Sequence, residues 1–146
     1  MRRIFLVLAL TSLCALTTTS ADSDIPKVVQ PEELHWVSPP WDARVQATWV
    51  LGSESGQGPY LLRVRIAPGG KIPAHTHPDA RQTTVLSGSL RVSFGADADP
   101  AKALVLPAGS VYLAPAHQTH TVWADETEVT YQETGNGPTK TEFLNR

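Results

Sequence analysis

The sequence predicts an all-β protein, a sandwich or barrel of short antiparallel strands, and two observations carry the prediction. Apolar residues alternate with polar ones at Val45, Ala47, Trp49 and Leu51, at Leu62, Val64 and Ile66, at Leu90, Val92 and Phe94, and at Val129 and Tyr131. A period of two is that of a strand with one buried face. The 12 prolines and 10 glycines are spread at short intervals. No window longer than a turn or two keeps a helical period, so turns recur too often for long helices.

Taken in order, the chain opens with Arg2 and Arg3 before the apolar run Ile4 to Leu10, and a small and polar stretch ends in Thr19-Ser20-Ala21. That is the layout of a secretory signal peptide over residues 1–21, with an apolar run too short to span a bilayer. Two rival readings are an ordinary N-terminal helix and a lipid-modified Cys14, where Leu13 occupies a place that wants a small residue. Cleavage after Ala21 leaves a soluble periplasmic or secreted chain with no membrane association. Cys14 is the one cysteine, so that chain has neither a disulfide nor a thiolate site. The 12 basic residues less Arg2 and Arg3 leave 10 against 14 acidic ones, a formal charge of −4. A mildly acidic chain without a basic cluster argues against a nucleic-acid partner.

Residues 22–52 read as an N-terminal arm and first strand, and residues 53–146 as one barrel with enough apolar content for its own core. In the arm, Pro31-Glu32-Glu33-Leu34 suits one helical turn, since proline is accepted at a first helical position. His35-Trp36 and Pro39-Pro40-Trp41 fit packing along the barrel exterior or on a partner subunit, which leaves a homodimer open. The stretch Gly52 to Pro59 is an exposed connection, and Ala67-Pro68-Gly69-Gly70 is a tight turn. Gly95 to Lys102 is a polar linker.

Two stretches carry the chemistry. In Gly69 to Gly88, His75 and His77 sit at alternate positions, and alternate side chains of a strand share a face, so both imidazoles aim at one point. That supplies two nitrogen ligands for a metal. The second stretch runs from Gly109 through Pro115 and His117 to His120. Its His120 completes a three-imidazole set if the two strands are neighbours.

These stretches resemble the paired motifs of the cupin superfamily, in which the first motif spaces Gly, His-x-His, Glu and Gly, and the second spaces Gly, Pro-x-Gly, His and Asn. Gly69, His75, His77 and Gly88 fall on the first, and Gly109, Pro115 and His120 on the second. Arg81 stands at the position of the motif's Glu, His117 at that of the glycine after the proline, and Ala124 at that of the Asn. The resemblance covers residues 60–133 and implies a cupin-type double-stranded β-helix, a jelly-roll barrel, with a metal on His75, His77 and His120.

Arg81 cannot be a ligand, because its guanidinium keeps its proton and offers no lone pair. It either points toward the cavity and holds a carboxylate substrate, or is an exposed strand arginine paired with Asp79 or solvent. Gln82 falls at the longer spacing that the motif allows and is the candidate fourth ligand, against the reading of an ordinary strand residue. His117 is a cavity-rim base or an exposed loop histidine. Among the aromatic residues, Trp123 and Tyr112 are candidate cavity walls, with core packing as the alternative.

Three neutral imidazoles leave the full charge on a divalent transition ion, and Zn, Ni, Fe, Mn and Cu all accept such ligands. No Ser-His-Asp set or phosphate-cradling glycine loop is visible. Two functions follow: a metal-dependent oxygenase or isomerase acting on a small organic molecule, as the resemblance implies, or a non-catalytic module that binds a metal or small ligand.

Overall fold

The alternating segments form ten antiparallel strands in the computed structural model, which describes residues 26–97 and 99–144. The expected signal peptide, residues 1–21, lies outside the described residues. The strands are β1 (Val45–Leu51), β2 (Gly58–Ile66), β3 (Lys71–Thr76), β4 (Arg81–Ser87), β5 (Ser89–Phe94), β6 (Leu104–Pro107), β7 (Val111–Ala114), β8 (His120–Trp123), β9 (Val129–Gly137) and β10 (Glu142–Phe143). One sheet has the order β1-β2-β9-β4-β7 and the other β10-β3-β8-β5-β6. Two antiparallel sheets facing each other, with the chain crossing repeatedly between them, make a jelly roll.

The core lies between the sheets and comes from the inward half of each alternation: Val64 and Ile66 of β2, Val85 of β4, Leu90 and Val92 of β5, Val122 of β8, Val129 and Tyr131 of β9. Burying each of the aliphatic side chains is worth about 1.5–3 kcal/mol, and this core is separate from the histidine cluster. Val64, Ile72 and Tyr131 also line the cavity that His75 and His77 face, so the core continues into the cavity wall.

The motif glycines have local reasons. Gly88, in the turn between β4 and β5, has φ +73°, and a Cβ there would lie 2.2 Å from the Glu128 carbonyl oxygen. No side chain fits that approach, so the pattern must end in glycine. Where the motif calls for a second glycine, His117 has φ +62°. Its N–H donates to the His77 carbonyl at 2.7 Å, which ties the loop before β8 to the end of β3.

The arm packs on its own barrel. Pro31–Glu33 makes the expected turn, as a 3-10 helix, Val37 bridges to Ala47 of β1, and the Arg65 guanidinium lies 4.5 Å over the Trp36 ring. His35, Val37 and Trp41 thereby reach the cavity.

The left-handed backbone at residue 117 sets a prediction. His117→Val places a β-branched side chain at positive φ and destabilises the fold by about 1–2 kcal/mol, whereas His117→Gly leaves stability equal or higher. Urea unfolding of both variants checks this, and equal stabilities would contradict it.

Candidate metal centre

Strand pairing assembles the histidines. β3 and β8 are neighbours, with His75 directly opposite His120, and His77 follows β3 on the same side as His75. The ring centroids of His75 lie 4.8 Å from those of His77 and 4.2 Å from those of His120. One ring nitrogen of each lies within 4.8 Å of those of the other two. All three residues are 4% exposed or less.

Each ring is oriented by a backbone carbonyl: Nδ1 of His75 donates to Pro73 O at 2.7 Å, Nδ1 of His77 to Lys140 O at 2.8 Å, and Nδ1 of His120 to Gln118 O at 2.9 Å. A carbonyl only accepts, so Nδ1 carries the proton of each neutral ring and Nε2 keeps a lone pair. The Nε2 of His77 is buried without a hydrogen-bond partner, a state that a bound metal ion resolves. Burial, and then the neighbouring His120 and His77, push the pKa of His75 down from 6.5 to about 3. Burial, and then the Arg81 guanidinium, push that of His77 down to about 3. Burial also lowers that of His120. Three neutral imidazoles presenting Nε2 fit a divalent transition ion, so these three buried histidines can hold one; its identity is not fixed by the ligand set.

Arg81 resolves toward the interior. It is 5% exposed, its Nη1 donates to Glu133 Oε2 at 2.7 Å and its Nη2 to Thr139 Oγ1 at 2.6 Å, and its Nε lies 3.7 Å from Asp79 Oδ2. The Thr139 hydroxyl in turn donates to Asp79, which also accepts from the Tyr60 hydroxyl. The expected pairing with Asp79 is present, whereas the exposure that went with it is corrected: the guanidinium lies inside, held by protein groups.

Gln82 is corrected as well. It is exposed, because adjacent strand residues point to opposite faces and Arg81 takes the inward one. It therefore stands on the outer surface, away from the three imidazoles. Trp123 is also absent from the cavity wall. It lies three residues beyond His120, an odd step that turns it to the other face, where Lys71 Nζ sits 5.6 Å from its ring. Tyr112 packs against the core and edge-on to Phe94 at 5.8 Å, and is not among the cavity-lining residues. Its buried hydroxyl has a pKa raised by desolvation. His117 is an exposed turn residue.

The residue that sequence reasoning missed is Glu133. It is 5% exposed and lines the cavity with His75, His77 and Arg81. Its signal was available: Val129 and Tyr131 read as inward, and the same period carries on to Glu133 in β9. The cavity lined by His75 and His77 has a volume of about 570 Å³. Its aromatic wall includes Trp41, edge-on to Phe143 at 5.4 Å, and Phe143 is 5.9 Å from His75.

Residues 62–131 match the Cupin domain family, just under half of the chain. A curated relative, Germin-like protein 3-1 of Oryza sativa subsp. japonica, is 33% identical over 78 residues, which cover 53% of this chain and 35% of that protein. The match thus spans about a third of the length of the curated relative. Among solved structures, the polyketide cyclase RemF from Streptomyces resistomycificus superposes with a TM-score of 0.67 at 16% identity, over 84% of this chain and 89% of that one. A recombinant oxalate oxidase in complex with glycolate gives a TM-score of 0.51 at 28% identity, over 59% of this chain and 46% of that one. The domain match supports membership of the cupin superfamily, and the structural neighbours support the jelly-roll fold.

The lowered histidine pKa values give the metal-free protein a pH dependence of definite sign. The unfolded chain takes up protons on these rings below 6.5, while folded His75 and His77 resist until about 3. Stability from these groups is therefore fully present above 6.5 and is lost as the pH falls toward 3. Melting of chelator-treated protein across this window shows a fall in Tm, and a shallower one for His75→Gln. An identical slope in the variant would contradict the assignment.

Proposed function

We propose that this chain is an exported metal-binding cupin whose barrel cavity takes a small organic molecule, acting on it as a metal-dependent oxygenase or isomerase. The observation that carries the reading is the convergence of three buried, carbonyl-oriented imidazoles, two of which, His75 and His77, line a largely apolar cavity. A divalent ion there supplies a positive centre that binds and polarises an oxygen ligand. The chain's own part is to keep Nε2 of each imidazole available, to exclude bulk water with the aromatic wall, and to place the Arg81–Glu133 pair beside the ligand space. Export rests on Arg2, Arg3, the apolar run and Thr19-Ser20-Ala21.

One observation favours a second reading, a module that binds a metal or small ligand without turning it over. The carboxylates Asp79 and Glu133 are both engaged with the same guanidinium, and an acid–base catalyst needs a carboxylate at liberty to exchange a proton. Both readings share the metal.

Elemental analysis of protein purified without chelators or a metal-affinity tag is the test. About one equivalent of a transition metal is expected, with His75→Ala, His77→Ala and His120→Ala each losing most of it and His35→Ala keeping it, since ligands act as one set. Full occupancy in any of the three ligand variants would overturn the site. Mass spectrometry of the exported chain tests the leader, with a chain beginning at Asp22 expected and an intact Met1 contradicting it.

A further inference from the structure

The site's buried charges specify more than a metal. Arg81, Asp79 and Glu133 have side chains 4%, 9% and 6% exposed, so they act at low effective dielectric and count almost in full. One guanidinium against two carboxylates gives a formal −1 beside the imidazoles, which are themselves neutral. Glu54, which lines the cavity together with Glu133, is exposed and is screened by solvent. A divalent ion on His75, His77 and His120 therefore brings the enclosed total to +1. Burying an uncompensated charge is costly, so the ligand that completes this site carries one negative charge. The space around it is apolar: Val37, Trp41, Leu62, Val64, Ile72 and Phe143 line the cavity, and its volume of about 570 Å³ lies in the range of small-molecule pockets.

We propose that the cavity takes a monoanionic oxygen ligand with an apolar, ring-sized body, a carboxylate, phenolate or enolate, and that the Arg81–Glu133 pair sets this charge preference. The inference rests on the metal reading above and deepens it. Glu133 is here a specificity determinant: its ion pair with Arg81 cancels a positive charge that would otherwise invite a dianion. The charge balance departs from the resembled motif, because Arg81 stands at the motif's carboxylate position and the compensating acids are Glu133 of β9 and Asp79 of the loop before β4.

Co²⁺-loaded protein supplies the readout, since its visible absorption bands respond to a new oxygen ligand. Four probes separate the terms: benzoate, with one charge and a ring; phenyl phosphate, a dianion with the same ring; benzamide, the neutral analogue; and acetate, the same charge without the ring. Benzoate is expected to bind at least about tenfold more tightly than each of the others. In Glu133→Gln the enclosed total rises to +2, and the ratio shifts toward phenyl phosphate by about tenfold or more. Phenyl phosphate or acetate binding wild-type protein as tightly as benzoate would overturn the inference while leaving the metal site standing. Absence of a bound-Co²⁺ spectrum in wild-type protein would remove the metal reading and this inference with it. Should Glu133→Gln fail to fold, the wild-type comparison decides alone.

Discussion

The site depends on three hydrogen bonds that involve no side-chain partner. Imidazole has two nitrogens, and a metal site needs the same one free on every ring. Here Pro73, Gln118 and Lys140 carbonyls each accept a proton from Nδ1. Backbone acceptors cannot reverse their role, so tautomer and ring orientation are set by the fold itself. Two of the carbonyls lie two residues from their histidine, which makes the orientation a local property of β3 and of the loop before β8. The third is long-range: Lys140 fixes His77 across 63 residues of sequence, and so couples the site to the segment before β10. The N–H of His117, donating to the His77 carbonyl, adds a second tie at that corner.

The electrostatic design is unusual in where its acid lies. With Arg81 at the inward position of β4, the interior gains a permanent cation next to a site built for another. The barrel compensates from β9 with Glu133 and from the loop before β4 with Asp79; Thr139 accepts from Arg81 Nη2 and donates to Asp79, Tyr60 also donates to Asp79, and Arg81 Nε is left with the Asp79 ion pair alone. A buried pair of this kind contributes little net stability once desolvation is counted, but loss of either partner costs about 3–5 kcal/mol. The same constraint fixes Gly135: a Cβ there would lie 2.4 Å from the Tyr60 hydroxyl, in the path of its bond to Asp79. Glycine at that position in β9 is thus part of the charge network.

The fold and the histidines were legible in the sequence because both rest on strand parity and motif spacing. His75 and His77 share a face whatever the tertiary structure, and the order of the two motifs fixed which later histidine would join them. The inward direction of Arg81 was contained in its spacing to Gly88, and the outward one of Gln82 follows from the same parity. Trp123 was misplaced through an odd step counted from His120. Glu133 went unread although the inward pattern of Val129 and Tyr131 pointed to it, because a charge on a core-facing position makes sense only once its partner is known. Arg81 and Glu133 are 52 residues apart, and no local pattern links them. The carbonyl partners of the imidazoles were likewise out of reach, being matters of backbone geometry.

The three imidazoles are expected to ligate one ion through Nε2. Diffraction from crystals of metal-loaded protein, recorded on both sides of the metal absorption edge, tests it most directly. A single anomalous peak is expected about 2.0–2.2 Å from Nε2 of His75, His77 and His120, with the Nδ1 bonds to the three carbonyls intact. A peak coordinated through Nδ1, or one placed elsewhere with the three rings unmoved, would contradict it.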